Sequence, residues 1–222
     1  MNGLPLEIDS TPVIQPLKRH TGIAIPMLLN NIDTDQIIPS REMKKVSKNG
    51  LSEGLFAGQR YLDSKSNNRE PNPDFVLNKA QYQDATILLS CKNFGCGSSR
   101  EHAVWAMLEY GFRIIIAESF GTIFRTNCLR NGILPITLKH DVISKLSDQV
   151  IVDPVNNTID IDVANKVVNS PNGDSFNFEL ESHFQEMLLG GLDFISLTMK
   201  REKQINSFIQ QDKLNRAWAH LK

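Results

Sequence analysis

The sequence predicts an α/β protein in which short buried strands alternate with helices. Three apolar runs, at residues 85–90, 112–117 and 133–138, have the length of buried strands. The helical patterns between them end at Gly111 and Gly132, where a C-terminal cap belongs. This alternation indicates parallel strands joined by right-handed crossovers, and such sheets bind ligands at the carboxyl ends of their strands.

Other elements precede and follow this core. Residues 21–27 predict a first strand, where Gly22 and Pro26 favour an edge or bulged position. Residues 41–62 favour helix interrupted by glycines, and Asp141 is expected to cap a short helix. Beyond it, short apolar segments separated by turns predict small antiparallel strands; these are residues 149–152, 158–163, 166–168 and 175–180.

Composition and charge are those of an ordinary globular protein. Of the 222 residues, 41% are hydrophobic and 22% are charged. The 24 basic and 25 acidic side chains give no positive field for nucleic acid or an anionic membrane. No run reaches the roughly 18 apolar residues of a membrane span. Residues 1–16 contain three prolines and lack the apolar segment of a signal peptide. We therefore expect a cytoplasmic protein.

The cysteines argue against a disulfide framework or an iron–sulfur centre. Cys91, Cys96 and Cys128 are odd in number and widely spaced. An iron–sulfur cluster needs closely spaced thiolates and usually a fourth ligand. We expect three free thiols, and no metal or cluster held by this chain alone.

One turn concentrates groups that can do chemistry. Residues 93–102 read Asn-Phe-Gly-Cys-Gly-Ser-Ser-Arg-Glu-His and join a predicted strand to a predicted helix. Ser98 and Glu101 match a capping box, which predicts that the helix begins at the serines and offers its N-terminus to an anion. Serines in such places are more often caps than catalysts, but the surrounding glycines, arginine and histidine favour a site.

A second polar turn follows the first strand. Residues 30–39 read Asn-Asn-Ile-Asp-Thr-Asp-Gln-Ile-Ile-Pro, a composition that favours a turn stabilised by side chains. Asp33 and Asp35 could pair on a divalent metal, but an EF-hand needs further spaced carboxylates, so a solvated turn is the better interpretation. Residues 119–121, Ser-Phe-Gly, form the next strand-to-helix turn and can line the same crevice as the serine turn.

These segments resemble known motifs. Residues 95–102 resemble the Gly-x-Gly-Ser-Ser-Arg-Glu-His motif of the swivelling domain of the aconitase superfamily. Residues 31–39 resemble its motif of the Thr-Asp-His/Gln-Ile type. Ser119-Phe120, with Asn127 and the Leu134-Pro135 pair, resembles its third motif. The three motifs occur in the same order as in that swivelling domain.

The resemblance covers about residues 20–198, and the small subunits of the bacterial-type isopropylmalate dehydratases are the most similar family. It implies a three-layer β/β/α swivelling domain at 20–198, between an N-terminal extension at 1–19 and a C-terminal helical tail at 199–222. The apolar stripe of that tail is expected to pack rather than to dock a partner; it comprises Ile205, Phe208 and Ile209.

The resemblance also implies a reaction. A 2-hydroxy diacid is dehydrated to an alkene diacid, turned over and rehydrated at the neighbouring carbon, a hydro-lyase step of leucine biosynthesis. The hydroxyl leaves at the open iron of a [4Fe–4S] cluster, which a large subunit holds in the two-subunit enzymes. This chain is then expected to bind no cofactor alone and to be active only with that large partner. The alternatives are the small subunit of a homoaconitate or methylmalate/citraconate hydro-lyase, or a non-catalytic anion- or RNA-binding module.

Motif position implies roles for individual residues. Ser98 is the expected base, and Arg100 is expected to bind a substrate carboxylate, for which a guanidinium fork is well matched. Asp35 is expected to orient Arg100 or the substrate. Ser99 and Gly97 are expected to complete the substrate-binding turn. Which serine acts as base and which as helix cap stays open.

Three further residues have expected roles in or beside the site. The family supplies a second carboxylate-binding arginine after the Asp35 motif, and Arg60 is the candidate for it. Capping and core hydrogen bonding are the expected roles of Glu101 and His102.

Overall fold

A seven-stranded mixed sheet organises the chain, seen here in a computed structural model that describes residues 14–43, 50–66, 69–98 and 100–220. The sheet order is β4-β3-β2-β1-β5-β6-β7. Its strands are β1 (Arg19–Pro26), β2 (Ala85–Leu89), β3 (Ile114–Ala117), β4 (Leu134–Thr137), β5 (Ile159–Asp162), β6 (Val167–Asn169) and β7 (Ser175–Asn177).

The helices are mostly short. They are α1 (Thr34–Ile37), α2 (Ala57–Arg60), α3 (His102–Tyr110), α4 (Thr122–Asn131), α5 (His140–Val152), α6 (Ser182–Gly190), α7 (Phe194–Met199) and α8 (Glu202–Asn215). Single 3-10 turns lie at Ser40–Glu42, Ser52–Gly54, Val76–Asn78, Ala80–Tyr82 and Ala217–His220.

The parallel half of the sheet confirms the predicted α/β core. Strands β1, β2, β3 and β4 pair in parallel, and the helices α3 and α4 connect β2 to β3 and β3 to β4. The C-caps at Gly111 and Gly132 have positive φ angles, as predicted. β1 is central rather than at an edge, but its register shifts between Ile23 and Ala24, so the bulged alternative is correct.

The antiparallel half extends from the other side of β1. β5 pairs antiparallel to β1, and β6 and β7 follow in antiparallel order. The predicted strand at 149–152 is wrong, because these residues form the last turn of α5. Asp141 does not cap that helix, whose N-cap is Lys139. Ile143, Leu146 and Val150 are buried at helical spacing, so the helical periodicity prevails over the local alternation.

Both faces of the sheet are buried. Ile25 and Leu88 point to one face, where α3 covers them, and Ala24 and Ile87 point to the other, where α5 and α6 lie. Adjacent residues of a strand face opposite sides, so the apolar runs of the central strands are buried along their whole length. This rigid core fixes the positions of the turns that leave the carboxyl ends of the parallel strands.

Residues 41–62 are less regular than predicted, and the C-terminal tail is helical as predicted but packs less than expected. Within residues 41–62, the described part contains only short helical turns and α2. The tail is helical, but α8 contains no buried residue and Phe208 is 65% exposed. The predicted packing of that stripe is therefore incomplete within this chain. No helix in the described part of the chain is both long and apolar enough to cross a membrane.

Candidate active site

Backbone hydrogen bonds join the first two polar turns beyond the ends of β1 and β2. The N–H of Thr34 donates to the carbonyl of Cys96 at 2.9 Å, and the N–H of Gly95 donates to Ile32 at 2.7 Å. Asp33 and Cys96 form an isolated parallel bridge. The two segments therefore continue the parallel pairing of their strands, although Asp33 and Cys96 lie 63 residues apart in the chain.

The third turn joins the same edge. The N–H of Phe94 donates to Ser119 at 3.0 Å, and the N–H of Gly121 donates back to Phe94 at 2.9 Å. A Cβ atom built on Gly121 lies 2.6 Å from the carbonyl oxygen of Gly95, so only glycine permits this approach. The structure thus brings together the serine turn and the Ser-Phe-Gly turn, as the sequence predicted.

Asp33 and Thr34 have separate structural functions in the first turn. The carboxylate of Asp33 accepts a hydrogen bond from the N–H of Gln36 at 2.7 Å and caps α1. Thr34 is only 2% exposed, and its Oγ1 lies 3.2 Å from the carbonyl oxygen of Ser98 and 3.3 Å from Ser98 Oγ. The solvated-turn interpretation holds for Asp33, while Thr34 links this turn to the serine turn.

The predicted capping box is wrong. α3 begins at His102, its N-cap is Glu101, and no side chain caps it. The N–H of Arg100 instead donates to the carbonyl of Ser98 at 2.8 Å, which makes a tight turn ahead of the helix. The hydroxyl of Ser98 contacts Thr34 rather than the helix N–H groups, and Ser98 is exposed. The positive end of the helix therefore lies after Arg100, not at the serines.

Glu101 contacts a residue of α4, and His102 contacts a ring of its own helix. Glu101 accepts a hydrogen bond from the side-chain amide of Asn131 at 2.7 Å. The imidazole of His102 lies 4.8 Å from the Trp105 ring, measured between centroids, and the indole of Trp105 donates to Asn131 at 3.0 Å. The hydrogen bond of Glu101 links α3 to α4 and is of the kind predicted, but the predicted capping is wrong and the contact of His102 lies within α3.

Asp35 and Arg100 meet in an ion pair. Nη1 of Arg100 donates to Asp35 Oδ1 at 2.5 Å and to Ser40 Oγ at 2.9 Å, and the Ser40 hydroxyl donates to Asp35 Oδ1 at 3.1 Å. The Asp35 side chain is 56% exposed and that of Arg100 is 31% exposed. Both bonds of the guanidinium use Nη1; within the described residues, Nε and Nη2 make none.

Arg60 lies in a different environment. Nη1 donates to the carbonyl of Ser52 at 2.8 Å, and the guanidinium carbon lies 5.1 Å from the ring centroid of Tyr110 and 5.6 Å from that of Tyr61. Its Nε is buried without a hydrogen-bond partner in the described structure. The structure does not bring Arg60 into contact with Asp35 or Arg100, and its binding of a carboxylate stays a prediction.

The remaining predicted positions lie in the serine turn. Gly97 is exposed and has a φ of 96°, a conformation that favours glycine. Ser99 lies outside the described residues. Sequence reasoning missed Thr34 and Ser40 as contributors to this site. Thr34 lies within the 31–39 motif, and Ser40 directly follows it. The hydroxyl of Thr34, directly before Asp35, is the sequence feature that could have indicated its role.

The cysteines do not fit an iron–sulfur cluster. All three are free, and burial raises the pKa of the Cys91 and Cys128 thiols. In the described part of the chain, no group of side chains that could hold a metal contains more than one cysteine. In the described part of the chain, the three cysteines therefore do not form a common ligand set.

Comparison with known proteins identifies the family of this chain. The family profile described as Aconitase C-terminal domain matches residues 14–141. The small subunit of 3-isopropylmalate dehydratase from Cupriavidus necator is 50% identical over 207 residues, which are 93% of this chain and 99% of the relative. The chain belongs to the family of 3-isopropylmalate dehydratase small subunits.

Other members of the family are nearly as similar. The small subunit from Nitrobacter winogradskyi is 46% identical over 198 residues, 89% of this chain and 96% of the relative. A crystal structure of 3-isopropylmalate dehydratase from Methanocaldococcus jannaschii matches with a TM-score of 0.59 at 24% identity, covering 88% of this chain and 99% of that one. At that identity the match supports the fold, and it confirms the predicted class.

Proposed function

We propose that this chain is the small subunit of a 3-isopropylmalate dehydratase, which interconverts 2-isopropylmalate and 3-isopropylmalate through isopropylmaleate in leucine biosynthesis. One observation carries the assignment of the site. Asp35 and Arg100 come from two separate motifs and meet in an ion pair, and Arg100 lies two residues after the exposed Ser98 in the serine turn. In a member of this hydro-lyase family, that arrangement supplies an anion-binding group and a proton acceptor side by side.

Ser98 takes the part of the base. A serine hydroxyl is a weak base, so its alkoxide needs positioned donors and positive charge. Thr34 Oγ1 lies 3.3 Å from Ser98 Oγ and can donate its proton there once Ser98 has lost its own. The guanidinium of Arg100 stands two residues further on. Since Ser98 is not a helix cap, its oxygen is available to accept the carbon-bound proton of the substrate.

Arg100 binds a carboxylate of the diacid. Asp35 and Ser40 hold Nη1, which fixes the plane of the guanidinium. The edge formed by Nε and Nη2 then faces the ligand with two parallel donors, the geometry that a carboxylate accepts in bidentate fashion. Asp35 is accordingly a positioning residue: it orients Arg100 and does not touch the reacting carbon.

The site requires a second protein surface. Enzyme sites are concave and bury most of a small ligand, whereas Ser98, Asp35 and Ser40 are all exposed in this chain. We assign the facing half of the site, together with the [4Fe–4S] cluster, to the large subunit of the enzyme. This assignment follows from the family's small-subunit name and from the absence of a cysteine cluster in the described residues.

Reconstitution tests the proposal. The purified chain is mixed anaerobically with its cognate large subunit, and alkene formation from 3-isopropylmalate is followed by ultraviolet absorbance. We expect activity only in the mixture. The Ser98→Ala variant should lower kcat by about 10³-fold or more, the scale of lost groups that act only in the transition state. Ser182→Ala, an exposed serine at the start of α6, is the control and should retain full activity.

Each other outcome has a distinct meaning. Full activity of Ser98→Ala would remove the base and leave the enzyme assignment standing. Turnover of homoaconitate or citraconate, but not of 3-isopropylmalate, would reassign the substrate. A mixture that is inactive on every hydroxy diacid, yet binds RNA in a salt-dependent manner, would contradict the enzyme assignment.

A further inference from the structure

A second group of chemically active side chains lies at the same edge of the sheet, outside the site just described. Cys91 follows β2, Glu118 follows β3 and His140 follows β4 at the start of α5. Their ligand atoms all lie within 4.8 Å of one another, and no other group of three His, Cys, Asp or Glu in the described part of the chain meets this condition. The proposed reaction uses none of the three.

We propose that Cys91, Glu118 and His140 form a binding site for a divalent cation of the zinc class. Thiolate sulfur, imidazole nitrogen and carboxylate oxygen are all ligands that Zn²⁺ accepts, and three protein ligands with one open position make a common tetrahedral site. Bond lengths of about 2.0–2.3 Å place ligand atoms roughly 3.3–3.7 Å apart. The ligand atoms, now within 4.8 Å of one another, must therefore move about 1 Å closer together to bind the metal.

The hydrogen bonds already orient the ligands. Nδ1 of His140 lies 2.9 Å from Glu118 Oε1, and its other ring nitrogen, Nε2, lies 3.4 Å from Ser144 Oγ. Metal-bound histidines characteristically hold the second nitrogen in such a contact, which fixes the ring and directs the first nitrogen at the metal. A bound cation would replace the His140–Glu118 hydrogen bond with two coordinate bonds.

The scaffold is rigid on one side and open on the other. Cys91 is 6% exposed, the Glu118 side chain is 12% exposed and that of His140 is 65% exposed. The N–H of Glu118 donates to the carbonyl of Cys91 at 3.3 Å, so two ligands are tied through their backbones. The exposed His140 borders a groove that Thr137 and Phe176 also line, which leaves an entry path and room for a water ligand.

Metal binding displaces the proton of the Cys91 thiol. The Cys91 thiol loses its proton to solvent when the sulfur bonds to M²⁺, and the proton on Nδ1 of His140 is replaced by one on Nε2, which leaves the imidazole neutral. The site then holds a thiolate, a carboxylate and a neutral imidazole, whose two negative charges match the cation. No oxidant or reductant is required.

Cobalt titration of the untagged full-length chain, purified alone and stripped with a chelator, tests the site. Tetrahedral Co²⁺ with a thiolate ligand shows a near-ultraviolet charge-transfer band and strong visible bands. We expect these bands to saturate at about one equivalent and to disappear when Zn²⁺ is added. Zn²⁺ should also raise Tm by at least about 3 °C.

Variants identify the ligands. Cys91→Ser should abolish the charge-transfer band. His140→Gln, at an exposed position where the fold is expected to tolerate the change, should weaken Co²⁺ binding at least about 10-fold. Matched controls change a cysteine and a histidine outside the group: Cys96→Ser and His183→Gln should bind like the wild type.

Three results would overturn the proposal. The first is a wild-type chain with neither the charge-transfer band nor a Tm shift. The second is a band that persists in Cys91→Ser. The third is a loss confined to Cys91→Ser with normal binding in His140→Gln, because it would show a metal bound by a single thiolate.

Discussion

Thr34 provides a buried hydroxyl beside the exposed hydroxyl of Ser98. Its Oγ1 lies 3.3 Å from Ser98 Oγ, and the residue is 2% exposed. Thr34→Val removes the hydroxyl and keeps the shape. We expect kcat to fall about 10- to 100-fold with little change in KM, because a hydrogen bond to a charged oxygen is worth about 1.5–3 kcal/mol. Steady-state kinetics of the reconstituted enzyme measure this.

Thr34→Ser is the matched variant, since it retains the hydroxyl and loses only a methyl group. It should keep kcat within about threefold of the wild type. Equal kcat values for Thr34→Val and the wild type would show that Thr34 has no part in stabilising the alkoxide, whatever the thermal stability of the variant.

Only some of the candidate site residues could be predicted from the sequence. Ser98, Arg100 and Asp35 stand in motifs, so they could be named from the sequence. The hydrogen bonds of Thr34 and Ser40 could not, because their partners lie about 60 residues away in the chain. Whether an arginine binds a ligand or stacks on tyrosines, as Arg60 does, also depends on such distant neighbours.

At the scale of elements, the contact between two turns determines the shape of the serine turn. A Cβ on Gly121 would lie 2.6 Å from the carbonyl oxygen of Gly95 and 3.2 Å from Cys96 Cα. Both are backbone atoms, so the 95–98 turn itself must move. We expect Gly121→Ala to cost about 1–3 kcal/mol of unfolding free energy and to lower kcat at least about 10-fold. Urea unfolding and reconstituted kinetics measure the two effects.

Gly58→Ala is the matched control for this change. Nothing lies within 4 Å of a Cβ at Gly58, and the residue lies in α2, where alanine is the better helix former. This variant should be as stable as the wild type or more stable. Wild-type stability and kcat in Gly121→Ala would contradict the close approach of the two turns.

Local sequence patterns predict elements well where they agree with distant contacts. The parallel strands were predicted correctly, because runs such as 85–90 are buried on both faces and carry no competing signal. The capping box failed because its two side chains have stronger partners elsewhere: Ser98 contacts Thr34, and Glu101 binds Asn131. A local sequence pattern carries no information about hydrogen-bond partners that are distant in the chain.

At the scale of the whole molecule, Asp160 joins both halves of the sheet. It accepts hydrogen bonds from Arg19 and Thr21 of β1 and from Asn169 of β6. The Arg19 hydrogen bond is the largest cause that lowers the pKa of Asp160 to about 2, from an ordinary 3.8. The charged form is therefore favoured in the folded state, and its contribution to stability is complete above pH 4 and is lost as the pH falls towards 2.

Asp160→Asn measures this contribution. At pH 7 we expect the free energy of unfolding to fall by about 1 kcal/mol, because the exposed Arg19 is screened by solvent. The difference from the wild type should shrink as the pH falls from 4 towards 2. Urea titrations across this range check it, with Asp148→Asn on the exposed face of α5 as the control. A difference that stays constant down to pH 2 would refute the linkage.

The central place of β1 has a consequence for how the chain folds. β1 is the first strand of the described residues, yet it pairs with β2 on one side and with β5 on the other, and the β5 register joins Arg19 to Asp162. Pairings of such high contact order form slowly. During translation, β1 can complete its parallel side first, but its other edge stays without a partner until residues 159–162 emerge. A nascent chain paused before that point presents an open strand edge, the feature that chaperones shield and that seeds aggregation.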